Sequence, residues 1–364
     1  MVTMKDVAKA AGVSQAAVSY AYSRPEKLSV EQREYILAVA TDLGYPGPHI
    51  AGQTLKGGRI GAVGVMVTGS LSYALSDPSA LMVLRGIAEV GEFSEMPLTI
   101  VPLQQAQRGH KIDVASFQGA PIPITSPVLR GLVDGLVVYA LPDENPIVFE
   151  IVKRGLPSVT IDSPIVDGVP HVTINDRSAA CAIFSHLLDL GHREITIVAD
   201  RVTRQDRLGV VPRARIFDTP YRVTRERLLG YKDAAQHHGV DFRNFLIVEA
   251  GGFHRAAADA AVSLALKMSK PTAIVAMDDL TAVAALDVLQ SMGIAVPKQM
   301  SVVGFDDNAT AEPRQLTTIR QPMVEKGRAA ASLLMDLLKG LRPESVVLPT
   351  ELVLRSSTGL PIKR

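Results

Sequence analysis

The sequence predicts a small all-α headpiece built as a helix-turn-helix and, after it, a much larger two-lobed α/β body. Two observations carry this. Residues 3 to 22 hold two short amphipathic helix patterns joined at one glycine, the arrangement of a helix-turn-helix. From residue 60 onward, apolar runs of strand length alternate with helix-length segments, the grammar of βαβ units. A length of 364 residues exceeds one ordinary domain and accommodates both parts.

The headpiece elements follow from caps and spacing. Thr3 and Asp6 have the S/T-x-x-D/E spacing that caps a helix N-terminus. Met4, Val7, Ala8 and Ala11 then recur at i, i+3, i+4, i+7 as one inward stripe. Gly12 ends that helix, because glycine accepts the positive φ that reverses the chain. Ser14 caps a second helix whose Val18 and Tyr22 face the first, which leaves Gln15, Ala16, Ser19 and Tyr20 outward. Ser29 with Gln32 opens a third helix, with Ile36, Val39, Ala40 and Leu43 inward and Gly44 closing it.

In the body, apolar runs at 60–67, 98–103, 132–139, 158–161, 194–199, 273–276 and 301–305 read as strands buried on both faces. Segments 80–92, 175–190, 224–238, 255–268 and 280–292 read as the helices between them.

Composition narrows the class without deciding it. The net charge is +1, with seven Lys/Arg against five Asp/Glu in residues 1–59 and 31 against 32 after them. Charge alone points to no partner. No run reaches the roughly 18 apolar residues of a membrane span, and the N-terminus reads as a capped helix instead of a signal peptide, so a cytoplasmic protein with no membrane partner is expected. The single Cys181 excludes a disulfide within the chain and supplies no metal cluster; its apolar neighbours suit a small core residue. The sequence lacks G-x-G-x-x-G, G-x-x-x-x-G-K-[ST], H-E-x-x-H and G-x-S-x-G, so no catalytic residue, metal or cofactor is indicated and the chain does not read as an enzyme.

Thr3 to Tyr22, then Leu43-Gly44-Tyr45, Pro48, and Leu55 before Lys56-Gly57-Gly58-Arg59, resemble the headpiece and hinge helix of the LacI/GalR family of transcriptional repressors. The resemblance continues through Val133-Asp134-Gly135, Leu190-Gly191-His192-Arg193, Gly230-Tyr231, Asp279, Ser301-Val302-Val303-Gly304-Phe305-Asp306-Asp307 and Leu316-Thr317-Thr318-Ile319-Arg320-Gln321-Pro322. It implies a helix-turn-helix headpiece at 1–47, a hinge helix at 48–59 and a two-lobed periplasmic-binding-protein-like (type I) domain at 60–364. The first lobe would hold about 60–162 and 322–346, the second about 163–317 and 350–364. The chain would cross between lobes near Asp162, Thr317 to Pro322, and Val346 to Thr350.

Function is implied likewise. The chain would be a sequence-specific DNA-binding regulator, acting as a homodimer on a pseudo-palindromic operator, with a sugar or nucleoside effector between the lobes. Thr3, Lys5, Ser14, Gln15, Ala16, Ala17, Ser19, Tyr20, Ser29 and Tyr45 would meet the duplex, and Leu55 would wedge into the minor groove. In open α/β sheets ligands bind beyond the carboxyl ends of strands, where Ser72, Tyr73, Tyr139, Asp162, Asp278 and Asp306 fall. Arg227 occupies the place of the family's effector-gripping arginine. A carboxylate can accept from two vicinal hydroxyls and a guanidinium can donate in a fork. Asp279 and Asp307 read instead as caps or loop ties. A cleft enzyme or a transport binding protein could share this body, but neither accounts for a headpiece and hinge.

Two departures from the family pattern give predictions. Tyr20 stands where relatives carry arginine; arginine grips guanine in a fork worth about 1–3 kcal/mol of discrimination, whereas tyrosine offers one hydroxyl and a ring for a thymine methyl. Sites selected from a random duplex pool are expected to differ between wild type and Tyr20→Arg, and identical preferences remove Tyr20 from the readout. Gly52-Gln53 replaces an alanine-arginine pair in the hinge, and glycine costs about 1 kcal/mol against alanine in a helix. Gly52→Ala is therefore expected to tighten operator binding, and unchanged or weakened affinity contradicts this.

The stretch from Arg201 to Arg227 holds eight arginines against three acids and is broken by Gly209, Pro212 and Pro220, so it reads as a loop or hairpin on the second lobe. It is either a solvated excursion or an anion trap at the cleft mouth using Arg204, Arg207, Arg213 and Arg215.

Overall fold

The structure, a computed structural model, describes residues 2–23, 25–45, 61–68, 75, 77–91, 96–103, 133–205 and 207–362. Pro48, Gly52, Gln53, Leu55 and Lys56 of the expected hinge, and the candidate ligand residues Ser72 and Tyr73, lie outside the described residues. The chain divides into two compact units, Met1–Gly61 and Ala62–Arg364.

The first unit holds helices α1 (Met4–Ala11), α2 (Gln15–Ser23) and α3 (Val30–Asp42). Its caps are those that the residue types dictate. Thr3 and Asp6 form a reciprocal capping box, Gly12 closes α1 with φ of 67°, the Ala17 amide donates to Ser14 Oγ at 3.1 Å, and the Gln32 amide donates to Ser29 Oγ at 3.2 Å. Val7, Ala8, Ala11, Val18, Ala21, Ile36 and Ala40 form the core. Small residues at the contacts let three short helices approach closely enough to exclude water. Leu43 departs from expectation: it is 38% exposed. Past Asp42 the helix has ended, and the half-buried Leu37 and Tyr45 pack on the core instead, Tyr45 edge-on to Tyr22 at 6.1 Å.

The second unit contains two α/β lobes, each a sheet covered by helices on both faces. The first sheet is β1 (Val63–Thr68), β2 (Leu98–Leu103), β3 (Gly135–Tyr139), β4 (Ser158–Ile161), β5 (His171–Ile174) and β12 (Val346–Leu348), in the order β12-β5-β4-β3-β1-β2, all parallel. Helices α4 (Pro78–Ala88) and α10 (Met323–Leu338) pack together on one face over Val63, Val65, Val137 and Val159. Helix α5 (Pro146–Lys153) lies on the other face over Met66, Leu136 and Val138. Burial on both faces is why these strands read as continuous apolar runs.

The second sheet is β6 (Ile195–Ala199), β7 (Gly209–Val210), β8 (Leu246–Glu249), β9 (Ala273–Ala276) and β10 (Ser301–Val303), in the order β10-β9-β6-β8-β7, with only β7 antiparallel. Helices α6 (Asp176–Asp189) and α7 (Arg222–His237) cover one face around Phe184, Tyr231 and Phe245. Helices α8 (Arg255–Met268) and α9 (Asp279–Ser291) cover the other. Gly230 lets α7 meet α6, since a Cβ there would lie 2.2 Å from the Arg177 carbonyl oxygen. Cys181, on α6, is half-buried, not a full core residue.

Crossings between the sheets follow β5, run through β11 (Thr318–Arg320), and join β12 to β13 (Glu351–Val353), which pairs antiparallel with β11. The expected first crossing at Asp162 is corrected. Beyond Asp162 the chain returns to the first sheet, because Thr160 and Ile161 of β4 pair with His171 and Val172 of β5; only after Ile174 does it enter α6. A four-residue strand diluted by His171 and Thr173 has too little apolar character to show as a run.

Candidate functional site

The carboxyl ends of β1, β3, β4, β6, β9 and β10 converge on one cavity of about 360 Å³, lined from the first lobe by Asp77, Ser79, Tyr139 and Asp162 and from the second by Asp200, Arg227, Asp278 and Asp306. Gln321 and Met323, where the chain passes from β11 into α10, complete it. Of the residues expected from sequence, the structure brings Tyr139, Asp162, Arg227, Asp278 and Asp306 together here.

Two of these acids sit in strained backbone. Asp162 has φ of 64° and Asp306 has φ of 125°, the left-handed region that L residues avoid unless their surroundings enforce it, at about 1–3 kcal/mol each. Their side chains belong to one hydrogen-bonded line. Ser79 Oγ donates to Asp306 Oδ2 at 2.9 Å, Gln321 Nε2 donates to Asp306 Oδ1, Lys326 Nζ donates to Gln321 Oε1 at 2.7 Å, and Lys326 Nζ meets Asp162 Oδ1 at 2.6 Å. The line runs from α4 through the second lobe and the crossing strand back to β4.

Arg227 is 7% exposed. Its Nε donates to Asp176 Oδ1 at 2.9 Å and an Nη1 donates to the Met277 carbonyl, while the guanidinium carbon stands 3.6 Å from the centre of the Phe305 ring. Loss of water works against its charge, and Asp176 and Asp306 outweigh that, so it stays firmly protonated. Asp278 caps α9, accepting from the Thr281 amide at 2.7 Å and from its hydroxyl at 2.9 Å, and still lines the cavity. Asp279 is a loop tie, holding the Thr318 hydroxyl at 2.8 Å and the Asn308 amide at 2.9 Å. Asp307 pairs with Arg320 and Arg355.

Burial sets the protonation of the site. Asp306 and Asp200 are both lifted to about 7, in each case chiefly by loss of water; Arg227 works against the lift at Asp306 and Arg201 against that at Asp200, while the Asp278 carboxylate adds to both. The Tyr139 hydroxyl is pushed well above its usual range by burial and by the carboxylates Asp77, Asp162 and Asp306. For Asp200 the sign follows from linkage. Between its ordinary value of 3.8 and about 7 the folded chain keeps a proton that the unfolded chain has lost, so stability falls as pH rises through that window, by about 1.4 kcal/mol per unit of displacement. Asp200→Asn is expected to raise the melting temperature at pH 8 and to leave it nearly unchanged at pH 4. An equal change at both pH values, or a loss at pH 8, contradicts the assignment.

Several lining residues were not legible in the sequence. Asp77, Ser79 and Asp200 follow no motif, and Arg201, whose guanidinium carbon lies 4.8 Å from the Phe253 ring centre and 5.9 Å from that of Tyr221, is one arginine among many. Gln321 lies in the Ile319-Arg320-Gln321-Pro322 motif, which could have marked it. The four arginines of the expected anion trap do not line the cavity. Arg204 makes a forked pair with Glu144 at 2.8 and 3.0 Å, and Arg207, Arg213 and Arg215 are exposed. Together with Arg225, which meets Asp143 Oδ2 at 2.6 Å, Arg204 ties this segment to the loop after β3, and the Asp143 amide donates to the Pro220 carbonyl at 3.0 Å. The segment bridges the two lobes beside the cavity.

In the headpiece, Lys5, Ser14, Gln15 and Ala16 are exposed, and Ala17, Ser19, Tyr20 and Tyr45 are half-buried. Lys27 Nζ sits 5.2 Å from the centre of the Tyr20 ring, so a cation accompanies the tyrosine. Thr3 and Ser29 spend their hydroxyl acceptors on caps. Among the described residues no helix is long and apolar enough to cross a membrane, and no group of three or more His, Cys, Asp or Glu could hold a metal ion.

A helix-turn-helix unit followed by two α/β lobes around a cavity that gathers charged side chains from both defines a class, that of DNA-binding regulators that carry a small-molecule site. Residues 3–46 match the profile described as bacterial regulatory proteins, lacI family, and residues 184–358 match that of the periplasmic binding protein-like domain. The chain is 35% identical to an HTH-type transcriptional regulator of Mycolicibacterium smegmatis across 99% of its own length and 97% of the relative's. It is 34% identical to the HTH-type transcriptional regulator IpsA of Corynebacterium glutamicum across 92% and 91%. A crystal structure of a LacI family transcriptional regulator from Corynebacterium glutamicum superposes with a TM-score of 0.74 at 30% identity, covering 97% of this chain and 98% of that one. The transcriptional regulator CelR in complex with cellobiose superposes with a TM-score of 0.65 at 25% identity, covering 98% and 100%. The chain belongs to the LacI family of DNA-binding transcriptional regulators.

Proposed function

We propose that this chain binds operator DNA as a homodimer, through α2 and the residues beside it, and that a neutral polyhydroxylated molecule, a sugar or the sugar of a nucleoside, controls that binding from the cavity between the lobes. The observation that carries this reading is the hydrogen-bonded line from Ser79 through Asp306, Gln321 and Lys326 to Asp162. It places carboxylate acceptors from both lobes on one cavity, where vicinal hydroxyls can bridge them. Tyr139 adds an aromatic surface for a sugar's apolar face, and the cellobiose-bound neighbour has the same fold.

A ligand that holds both lobes favours one interlobe arrangement and hence one spacing of the two hinges. DNA and ligand then bias the same equilibrium, and each must change the other's affinity by the same factor, typically about 5 to 150-fold. The test is a thermal-shift screen of sugars, nucleosides and sugar phosphates on the purified chain, since a molecule bound only by the folded state raises its melting temperature. A stabilising neutral compound that changes affinity for a selected operator, in either direction, is the expected result. Stabilisation by phosphorylated compounds alone, or consumption of the stabilising compound, overturns the reading.

A further inference from the structure

Helix α10 buries Met323, Gly327, Ala330, Ala331, Leu333 and Leu334, a stripe at helical spacing against the first sheet. Lys326 occupies one position of that stripe and is 0% exposed. An apolar residue would satisfy the packing there, and lysine is almost never fully buried unless it is paired. The packing of α10 therefore does not account for the charge. Its ammonium has two acceptors, Asp162 Oδ1 at 2.6 Å and Gln321 Oε1 at 2.7 Å. The first interaction neutralises it. The second fixes the amide of Gln321, because an ammonium accepts nothing and must face the oxygen, which turns Nε2 toward Asp306. The ammonium engages Asp162 through Oδ1, and Asp162 lines the cavity.

We propose that Lys326 is the positioning residue of the cleft: by clamping Asp162 directly and Asp306 through Gln321, it presents the acceptors of both lobes together to the hydroxyls of one neutral ligand. The proposal rests on the cavity being the effector site. The charge of Lys326 is matched by Asp162, so this residue does not serve as a receptor for a phosphate or carboxylate.

The full chain is compared as wild type, Lys326→Met, and Lys326→Met/Asp162→Asn. The double variant guards the test, because it carries no unpaired buried carboxylate if the single variant fails to fold. The first readout needs no ligand: a carbon-13 carboxyl NMR titration of aspartate-labelled chain, with the Asp306 signal identified by its loss in Asp306→Asn. Lys326→Met also removes a buried charge whose field alone can move that midpoint, so the double variant, in which the ion pair leaves as a neutral unit, is the decisive sample. The expected result is a displacement of at least half a pH unit in both variants, and an unmoved midpoint in the double variant overturns the proposal. The second readout is calorimetric titration of wild type and Lys326→Met with D-glucose, D-ribose, cellobiose and adenosine. The probe that binds wild type is expected to bind Lys326→Met at least tenfold more weakly, and equal affinity in a folded variant overturns the proposal. Absence of binding by all four to wild type counts against the cavity as a site for such compounds, and the titration of Asp306 then decides the role of Lys326.

Discussion

Arg227→Met is expected to destabilise the second lobe by about 3–5 kcal/mol, the range found when one partner of a buried ion pair is removed. The guanidinium is 7% exposed and its partner Asp176 is 8% exposed, so deletion strands a carboxylate that burial already pushes above its ordinary range. It also removes a donor from the Met277 carbonyl and a cation from the face of Phe305. At about 2–4 °C per kcal/mol for large domains, the melting temperature at pH 7.5 is expected to fall by roughly 10 °C. Adding Asp176→Asn is expected to recover a substantial part of the loss, because the stranded charge is then gone. A fall of less than about 2 °C in the single variant, or no recovery in the double, contradicts this account.

Gly86→Ala is the second large effect, and it arises from backbone alone. A Cβ at Gly86 would lie 1.9 Å from the Val324 carbonyl oxygen and 2.8 Å from its carbon. Neither atom is the end of a flexible side chain, so α4 and α10 must move apart. Overpacking a tight core costs about 1–3 kcal/mol and occasionally more, and a helix pair forced open belongs at the upper end. Gly91, with nothing within 4 Å of a Cβ, is the control. Gly86→Ala is expected to lower the melting temperature by at least 6 °C, at about 2–4 °C per kcal/mol, while Gly91→Ala changes it little. Equal melting temperatures for the two variants would mean that the crossing is looser than these distances imply.

The headpiece was legible because its determinants are local. Thr3, Asp6, Gly12, Ser14, Ser29 and Gln32 act within three or four residues of themselves, and the structure uses each as the spacing implies. The long apolar strands were legible for a related reason, since burial on both faces removes polar residues from them. Short β5, β7, β11 and β13 were not. Their pairing depends on partners up to 174 residues away, such as Val172 with Val346, and strands of two to four residues hold no pattern of their own. Asp162 illustrates the limit. Its residue type and its place after a strand marked it for the cleft, but where the chain crosses between lobes was decided by the return of His171–Ile174 to the first sheet.

The family, the headpiece and the strand-end acids Asp162, Asp278 and Asp306 are readable in one dimension, because caps, motifs and apolar runs are written in neighbouring residues. How those acids work together depends on contacts between distant parts of the chain. Ser79 and Asp306 are separated by 227 positions, and Asp162 and Lys326 by 164; no local pattern links either pair. A lysine in an apolar helical stripe is ambiguous in one dimension. Packing of α10 on the first sheet brings Asp162 to its charge, and the meeting of the two lobes turns the arginines at 204 and 225 from a run of charge into ties between them. The physical reason is that a buried charge is tolerated only where other elements of the fold meet it, and that meeting is a property of the packed molecule.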